Sequence, residues 1–121
     1  MIDHITVTVS QFARSRDFYL AALKPLGYAI VMEFPGVAGF GVKGKPDFWI
    51  AEAPGSGVIP HVAFRAENRA AVAAFYEAAM AAGGRDNGGP GPRPQYHPNY
   101  YGAFVLDPDG YNMEAVCHNP E

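Results

Sequence analysis

The chain repeats itself. His4 and His61 stand 57 residues apart (61 − 4), and the same interval separates Phe18 from Phe75, Tyr19 from Tyr76, Ala22 from Ala79 and Gly27 from Gly84. Five matched pairs at one offset, running through a strand, a helix and the stop after it, indicate two copies of one supersecondary unit. The units span about residues 1–54 and 56–121, and neither alone can bury its apolar face. At 121 residues the chain has room for one domain with a real core rather than two ordinary ones.

Each copy reads as β-α-β-β-β. MIDHITVTVS alternates apolar and polar residues and is rich in β-branched side chains, the mark of a strand. Ser10 is placed to cap a helix whose stripe is Phe12, Phe18, Tyr19, Ala22, Leu23 and Leu26, with Lys24-Pro25 as its stop. Strand-like runs follow near 28–34, 37–42 and 47–52, broken by Gly or Pro. In the second copy, 58–65 reads as a strand. Asn68 caps a helix carrying Val72, Phe75, Tyr76, Ala79 and Met80, and Gly83-Gly84 ends it. After a Gly/Pro-rich loop, 101–106 and 111–117 read as the closing strands. The expected fold class is α+β, two βαβββ modules forming a curved mixed sheet.

Strand side chains alternate between faces. Ile5, Val7 and Val9 share one face, as do Val62 with Phe64, and Met113, Ala115 and Cys117. The opposite faces carry His4, Thr6 and Thr8; His61, Ala63 and Arg65; and Asn112, Glu114, Val116 and His118. Helices cover the apolar face, and the other, if curved, forms a cup. Two imidazoles and a carboxylate converging there suit a divalent ion such as Fe, Mn, Zn or Ni, with positions left open for substrate. The competing arrangement is a buried hydrogen-bonded cluster without metal, with Glu114 paired to a protonated His.

Composition narrows the class. Net charge is −3 with no basic cluster, so nucleic acid is not an expected partner. The one cysteine, Cys117, excludes an internal disulfide and reads as a small core residue. No apolar run is long enough for a membrane span, and the N-terminus lacks the pattern of a signal peptide. A cytoplasmic location is expected.

With these features the chain resembles the vicinal oxygen chelate superfamily, which includes glyoxalase I, bleomycin-binding resistance proteins, fosfomycin-modifying enzymes and extradiol dioxygenases. The likeness rests on the paired units, "DHITVTVS", "FY" in the first helix, "PHVAF" and the closing "DPDGYNMEAV". It implies the glyoxalase/bleomycin resistance/dihydroxybiphenyl dioxygenase fold and metal ligands at His4, His61 and Glu114. Glyoxalase I adds a ligand from the last strand of the first unit. Aligning Gly44 with Gly110 sets Phe48 opposite Glu114, and a one-residue shift sets Trp49 there; neither binds metal. Glu52 and His118 are the remaining candidates for an extra ligand. The ring-cleaving signature matches at His97, Asp107, Pro108, Gly110 and Glu114, with Phe104 in place of its Tyr. His4-Ile5-Thr6 fits the fosfomycin enzymes' first strand, but their anion-binding basic residues are not evident near the last strands.

The loop "RPQYHPNYYG" should set specificity. Prolines flanking His97 stiffen it, and aromatic rings with polar tips suit a small-molecule pocket. His97 is the candidate acid/base or orienting residue, and Tyr100 or Tyr101 would hydrogen-bond an oxygen held at the ion. Thr6, Arg65, Trp49, Tyr96 and Asn99 are candidate substrate contacts, although Arg65 has structural partners available in Glu67 and Asp47. The expectation is a metal-dependent enzyme, lyase/isomerase or dioxygenase in type, whose ion chelates two neighbouring oxygens of a small substrate. The alternative is a non-catalytic drug-binding protein of the bleomycin-resistance type. A homodimer is expected, with the site formed within one chain or by His4 of one chain joining His61 and Glu114 of another.

Overall fold

The two helices begin 57 residues apart (69 − 12), as the repeat requires: α1 is Phe12–Leu23 and α2 is Arg69–Ala81. The structure, a computed structural model, describes residues 1–54 and 59–120. The expected junction at residues 54–56 and strand start at Val58 lie partly or wholly outside the described residues. β1 (Ile5–Val9) precedes α1, and β2 (Ala29–Phe34), β3 (Val37–Val42) and β4 (Lys45–Glu52) follow it. β5 (His61–Arg65) precedes α2. Behind α2 come β6 (Arg85–Asp86), β7 (Gly91–Pro92), β8 (Tyr101–Leu106) and β9 (Asn112–Cys117).

The strands form two mixed sheets, ordered β1-β4-β3-β2 and β5-β9-β8-β6, with β7 also paired to β8. In each, the opening strand runs parallel to the closing one. The second sheet departs from the first at its edge. The loop after α2 contributes two short pairings, Arg85↔Leu106 and Gly91↔Gly102, where the sequence suggested none. Its glycines and prolines weaken a longer ladder, so the edge strand is divided.

Helix ends follow their local signals unevenly. Asn68 accepts the Ala71 amide at 2.8 Å and caps α2 as expected. Ser10 does not cap α1. Gln11 occupies the cap position without a side-chain bond, and Ser10 donates its amide and hydroxyl to Asp109. The Phe12 amide instead donates to Glu52 Oε2 at 2.9 Å. A carboxylate is favoured over a hydroxyl at the positive end of a helix dipole, and both acceptors arrive from strand ends distant in sequence. Glu52 is thus engaged at a helix start. Glu52→Ala should lower stability by about 1 kcal/mol, read as a shift in denaturant midpoint, with metal uptake unchanged.

The helices and the apolar strand faces enclose one core. Phe18, Tyr19, Phe40, Phe48, Ile50, Phe75 and Met113 are each at most 1% exposed. Phe64 of the second unit meets Phe48 (5.1 Å between centroids) and Tyr28 (5.6 Å) of the first, joining the units through aromatic edges. Cys117 is fully buried there, as expected. The turn between β8 and β9 is tied into this core. Asp107 accepts the amides of Asp109 and Tyr111, both at 2.8 Å, and the hydroxyl of buried Tyr19. Gly110, at φ 84°, supplies the left-handed residue that closes the turn.

Candidate metal centre

Glu114 faces away from the core, as the alternation along β9 requires, yet it is only 2% exposed. Three groups surround its carboxylate. Tyr100 donates its hydroxyl to Oε2. His61 Nε2 lies 3.1 Å from Oε1. Gly102 lies close enough that a Cβ there would stand 3.3 Å from Oε2, so the absence of a side chain makes room for the acid. Tyr96, Phe104 and Asn112 complete a cavity of about 500 Å³ over the pair. Burial and then the bond to Glu114 push the Tyr100 phenol up to about 12, so it remains a donor.

The hydrogen on His61 is placed by its other nitrogen. Nδ1 is 3.0 Å from the Asn112 carbonyl oxygen, an acceptor only, so Nδ1 carries the hydrogen. In a neutral imidazole Nε2 then presents a lone pair to the carboxylate oxygen at 3.1 Å. Two lone pairs at that distance repel. Either a second proton sits on His61 or a cation stands between the two atoms. The separation matches two ligands on adjacent corners of a coordination shell with bonds of about 2.1 Å. The carbonyl on Nδ1 is the outer partner that metal-binding histidines use.

His4 repeats this preparation elsewhere. It lies just before β1, with its Nδ1 2.8 Å from Asp3 Oδ1, so its Nε2 is likewise the free nitrogen. Lys45 also donates to Asp3, at 2.9 Å. The bond from His4, then that from Lys45, holds the Asp3 carboxyl below its usual range. His4 opens on a cavity of about 280 Å³ with Thr6, Lys45, Pro46 and Trp49. Within one chain His4 does not join the other two. Among the described residues no group of three His, Cys, Asp or Glu side chains is placed to share an ion. The structure brings His61 and Glu114 together and leaves His4 on the first sheet.

Strand register decides which residue of the first unit corresponds to Glu114. Ala63 pairs with Glu114 and Thr6 with Trp49, and Thr6 and Ala63 are repeat-equivalent (63 − 6 = 57). Trp49, not Phe48, therefore takes the position, a correction to the glycine-based alignment. Phe48 is in the core, 1% exposed. Trp49 lies over Gly39, where a Cβ would stand 2.8 Å from its ring. Among the described residues no carboxylate pairs at that level of the first sheet, where Trp49 stands between Thr6 and Gly39.

The remaining candidates divide. Tyr100 reaches Glu114, whereas Tyr101 points the other way, its ring under the Arg69 guanidinium at 4.8 Å. Tyr96 lines the Glu114 cavity and Thr6 the His4 cavity. His97 stands one layer back. Its Nδ1 accepts the Asn99 amide at 3.1 Å, its Nε2 meets His118 Nδ1 at 2.6 Å, and its ring packs on Tyr100. Arg65 pairs with neither Glu67 nor Asp47; Asp47 accepts from Tyr28. The sequence reading did not single out Phe104 and Asn112 as walls of the site. Both lie on the Glu114 side of the sheet, so alternation along β8 and β9 was the available signal.

Paired βαβββ units with an outward histidine on the second opening strand and a carboxylate on the closing strand define a recognisable class. The profile of the glyoxalase/bleomycin resistance protein/dioxygenase superfamily matches residues 1–115, and the chain belongs to that superfamily. No curated protein sequence matches it. Among solved structures it is similar to a glyoxalase/bleomycin resistance protein from Albidiferax ferrireducens T118, at 26% identity and TM-score 0.82, over 95% of this chain and 97% of that one. A glyoxalase/bleomycin resistance protein/dioxygenase family enzyme from Burkholderia phytofirmans PsJN shares the fold at 18% identity and TM-score 0.75, over 98% of each chain. So does the fosfomycin resistance protein of Mesorhizobium loti, at 15% identity and TM-score 0.72, over 97% of this chain and 91% of that one. Among the described residues no helix is long and apolar enough to cross a membrane.

Proposed function

We propose that the chain is a divalent-metal-dependent enzyme acting on a small oxygen-rich molecule, with His61 and Glu114 as ligands and His4 of the partner subunit as the third. The observation that carries this reading is His61 Nε2 lying 3.1 Å from Glu114 Oε1 while the Asn112 carbonyl holds the ring hydrogen on Nδ1. A buried carboxylate beside a histidine of fixed tautomer is a donor set made for a cation. His4 supports the reading because its free nitrogen is the same one. It lies on another face of the same chain, so a second copy must bring it. The first sheet also leaves Met32 (49%) and Phe34 (56%) exposed, apolar surface that a second copy would cover.

When bound, the ion supplies Lewis acidity to two neighbouring substrate oxygens. The chain's own residues do the rest. Tyr100 orients Glu114 through its hydroxyl. Tyr96 and Phe104 wall the cavity and limit water. Asn112 holds the His61 ring through its carbonyl. His97 acts only through its contacts with Tyr100 and His118, so its role is positioning. Trp49 removes the ligand that glyoxalase I takes from the first unit, so ring cleavage or an addition to a small electrophile fits better than glyoxalase chemistry.

Mixing variants tests the shared site. His4→Ala and Glu114→Gln should each abolish metal uptake alone. Refolded together, a mixed dimer keeps one intact site, so metal should return to about one ion per mixed dimer. No recovery, alongside full uptake by the wild type, would sink the shared site. A wild type that takes up no divalent metal would instead favour the drug-binding alternative.

A further inference from the structure

We infer that the cavity beside Arg65 and His118 is an anion subsite, and that the substrate of the proposed metal site therefore carries an acidic group, a carboxylate, phosphate or phosphonate, at the end away from the ion. The inference rests on the metal reading for the substrate's other end, but the subsite itself stands on separate atoms.

The cavity, about 450 Å³, is lined by Arg65, Ala66, Glu67, His118 and Asn119. Arg65 lies four residues beyond His61 on the same face of β5, and His118 directly follows β9, four residues beyond Glu114. Two features make the cavity receptive to negative charge. Arg65 has no ion-pair partner among the described residues, so its fork of donors is available.

His118 is also set as a donor. The Asn99 amide donates to His97 Nδ1 at 3.1 Å, so a neutral His97 carries its hydrogen on Nε2. That hydrogen is donated to His118 Nδ1 at 2.6 Å. His118 therefore carries its own hydrogen on Nε2, the nitrogen left for a ligand. Glu67 lines the same cavity and opposes an anion, but it is one carboxylate against a guanidinium and a fixed N–H. The subsite adjoins the metal cavity. Tyr100 sets its ring edge against His118, 5.4 Å between centroids, and gives its hydroxyl to Glu114. Tyr100 separates the two, and four residues along a strand span about 13 Å, so an acid long enough to pass Tyr100 reaches both.

The test follows the His118 ring resonances by NMR as chelator-treated protein is titrated with inorganic phosphate, at fixed pH and with ionic strength held by chloride. Wild type should saturate. Arg65→Gln should weaken binding about tenfold or more, and Glu67→Gln should tighten it about two- to fivefold. Both side chains are exposed, so unchanged melting curves verify the fold. A non-saturating response, equal affinity in Arg65→Gln, or weaker binding in Glu67→Gln would overturn the subsite. Metal uptake by Arg65→Gln, measured separately, should match wild type. A wild type that takes up metal yet shows no saturable phosphate binding counts against the subsite alone.

Discussion

Replacing Asp107 by alanine should lower folding stability by about 3–5 kcal/mol, a fall in melting temperature of roughly 10–20 °C. The residue is 1% exposed and satisfies three donors at once: the amides of Asp109 and Tyr111 and the hydroxyl of Tyr19. Tyr19 is itself 1% exposed, so its hydroxyl has no water to turn to. Alanine leaves all three unmatched and loosens the turn that launches the strand bearing Glu114. Asn keeps the oxygen for the two amides and offers its NH₂ to the Tyr19 oxygen, so Asp107→Asn should cost only about 1–2 kcal/mol. The two variants also separate charge from geometry. Burial raises the Asp107 pKa, so folding favours its protonated form, and its contribution is fully present below the unfolded value and lost as pH rises through the folded one. The advantage of wild type over Asp107→Asn should therefore be larger at pH 4 than at pH 7, as read by denaturant titration.

Glu114→Gln should reduce divalent-metal affinity by about 100-fold or more, beyond the loss typical of an outer-shell partner, while the chelator-treated protein melts no lower than wild type. The isosteric amide removes the conflict at the pair. Its NH₂ donates to the His61 Nε2 lone pair, and its oxygen still accepts from Tyr100. If the pair were only a structural ion pair, the same change would leave a charged imidazole without its partner and lower the melting temperature. Calorimetric metal titration beside thermal melts gives both readings from one preparation.

Much of this was legible in the sequence because it depends on local periodicity. Alternation at period two put His61 and Glu114 on one side of the sheet, and the interval between His4 and His61 fixed the repeat. Other features depend on geometry that no local pattern carries. The Gly44–Gly110 alignment misplaced Trp49 because the turns differ. Two residues, Lys43 and Gly44, join β3 to β4, whereas five, 107–111, join β8 to β9. Ser10 lost the α1 cap to Glu52, which is adjacent only once β4 pairs with β1. Tyr100 and Tyr101 are equivalent in composition, and only the start of β8 turns one to Glu114 and the other to Arg69. The tautomers of His61 and His97 are set by the Asn112 carbonyl and the Asn99 amide, neither of which a residue name records.

The most direct measurement is anomalous diffraction at the zinc edge from crystals of the metal-loaded protein. The account predicts one peak per chain, about 2.1 Å from both His61 Nε2 and Glu114 Oε1, with His4 Nε2 of the partner subunit completing the set. A zinc-saturated crystal whose map is featureless between His61 and Glu114 would contradict it.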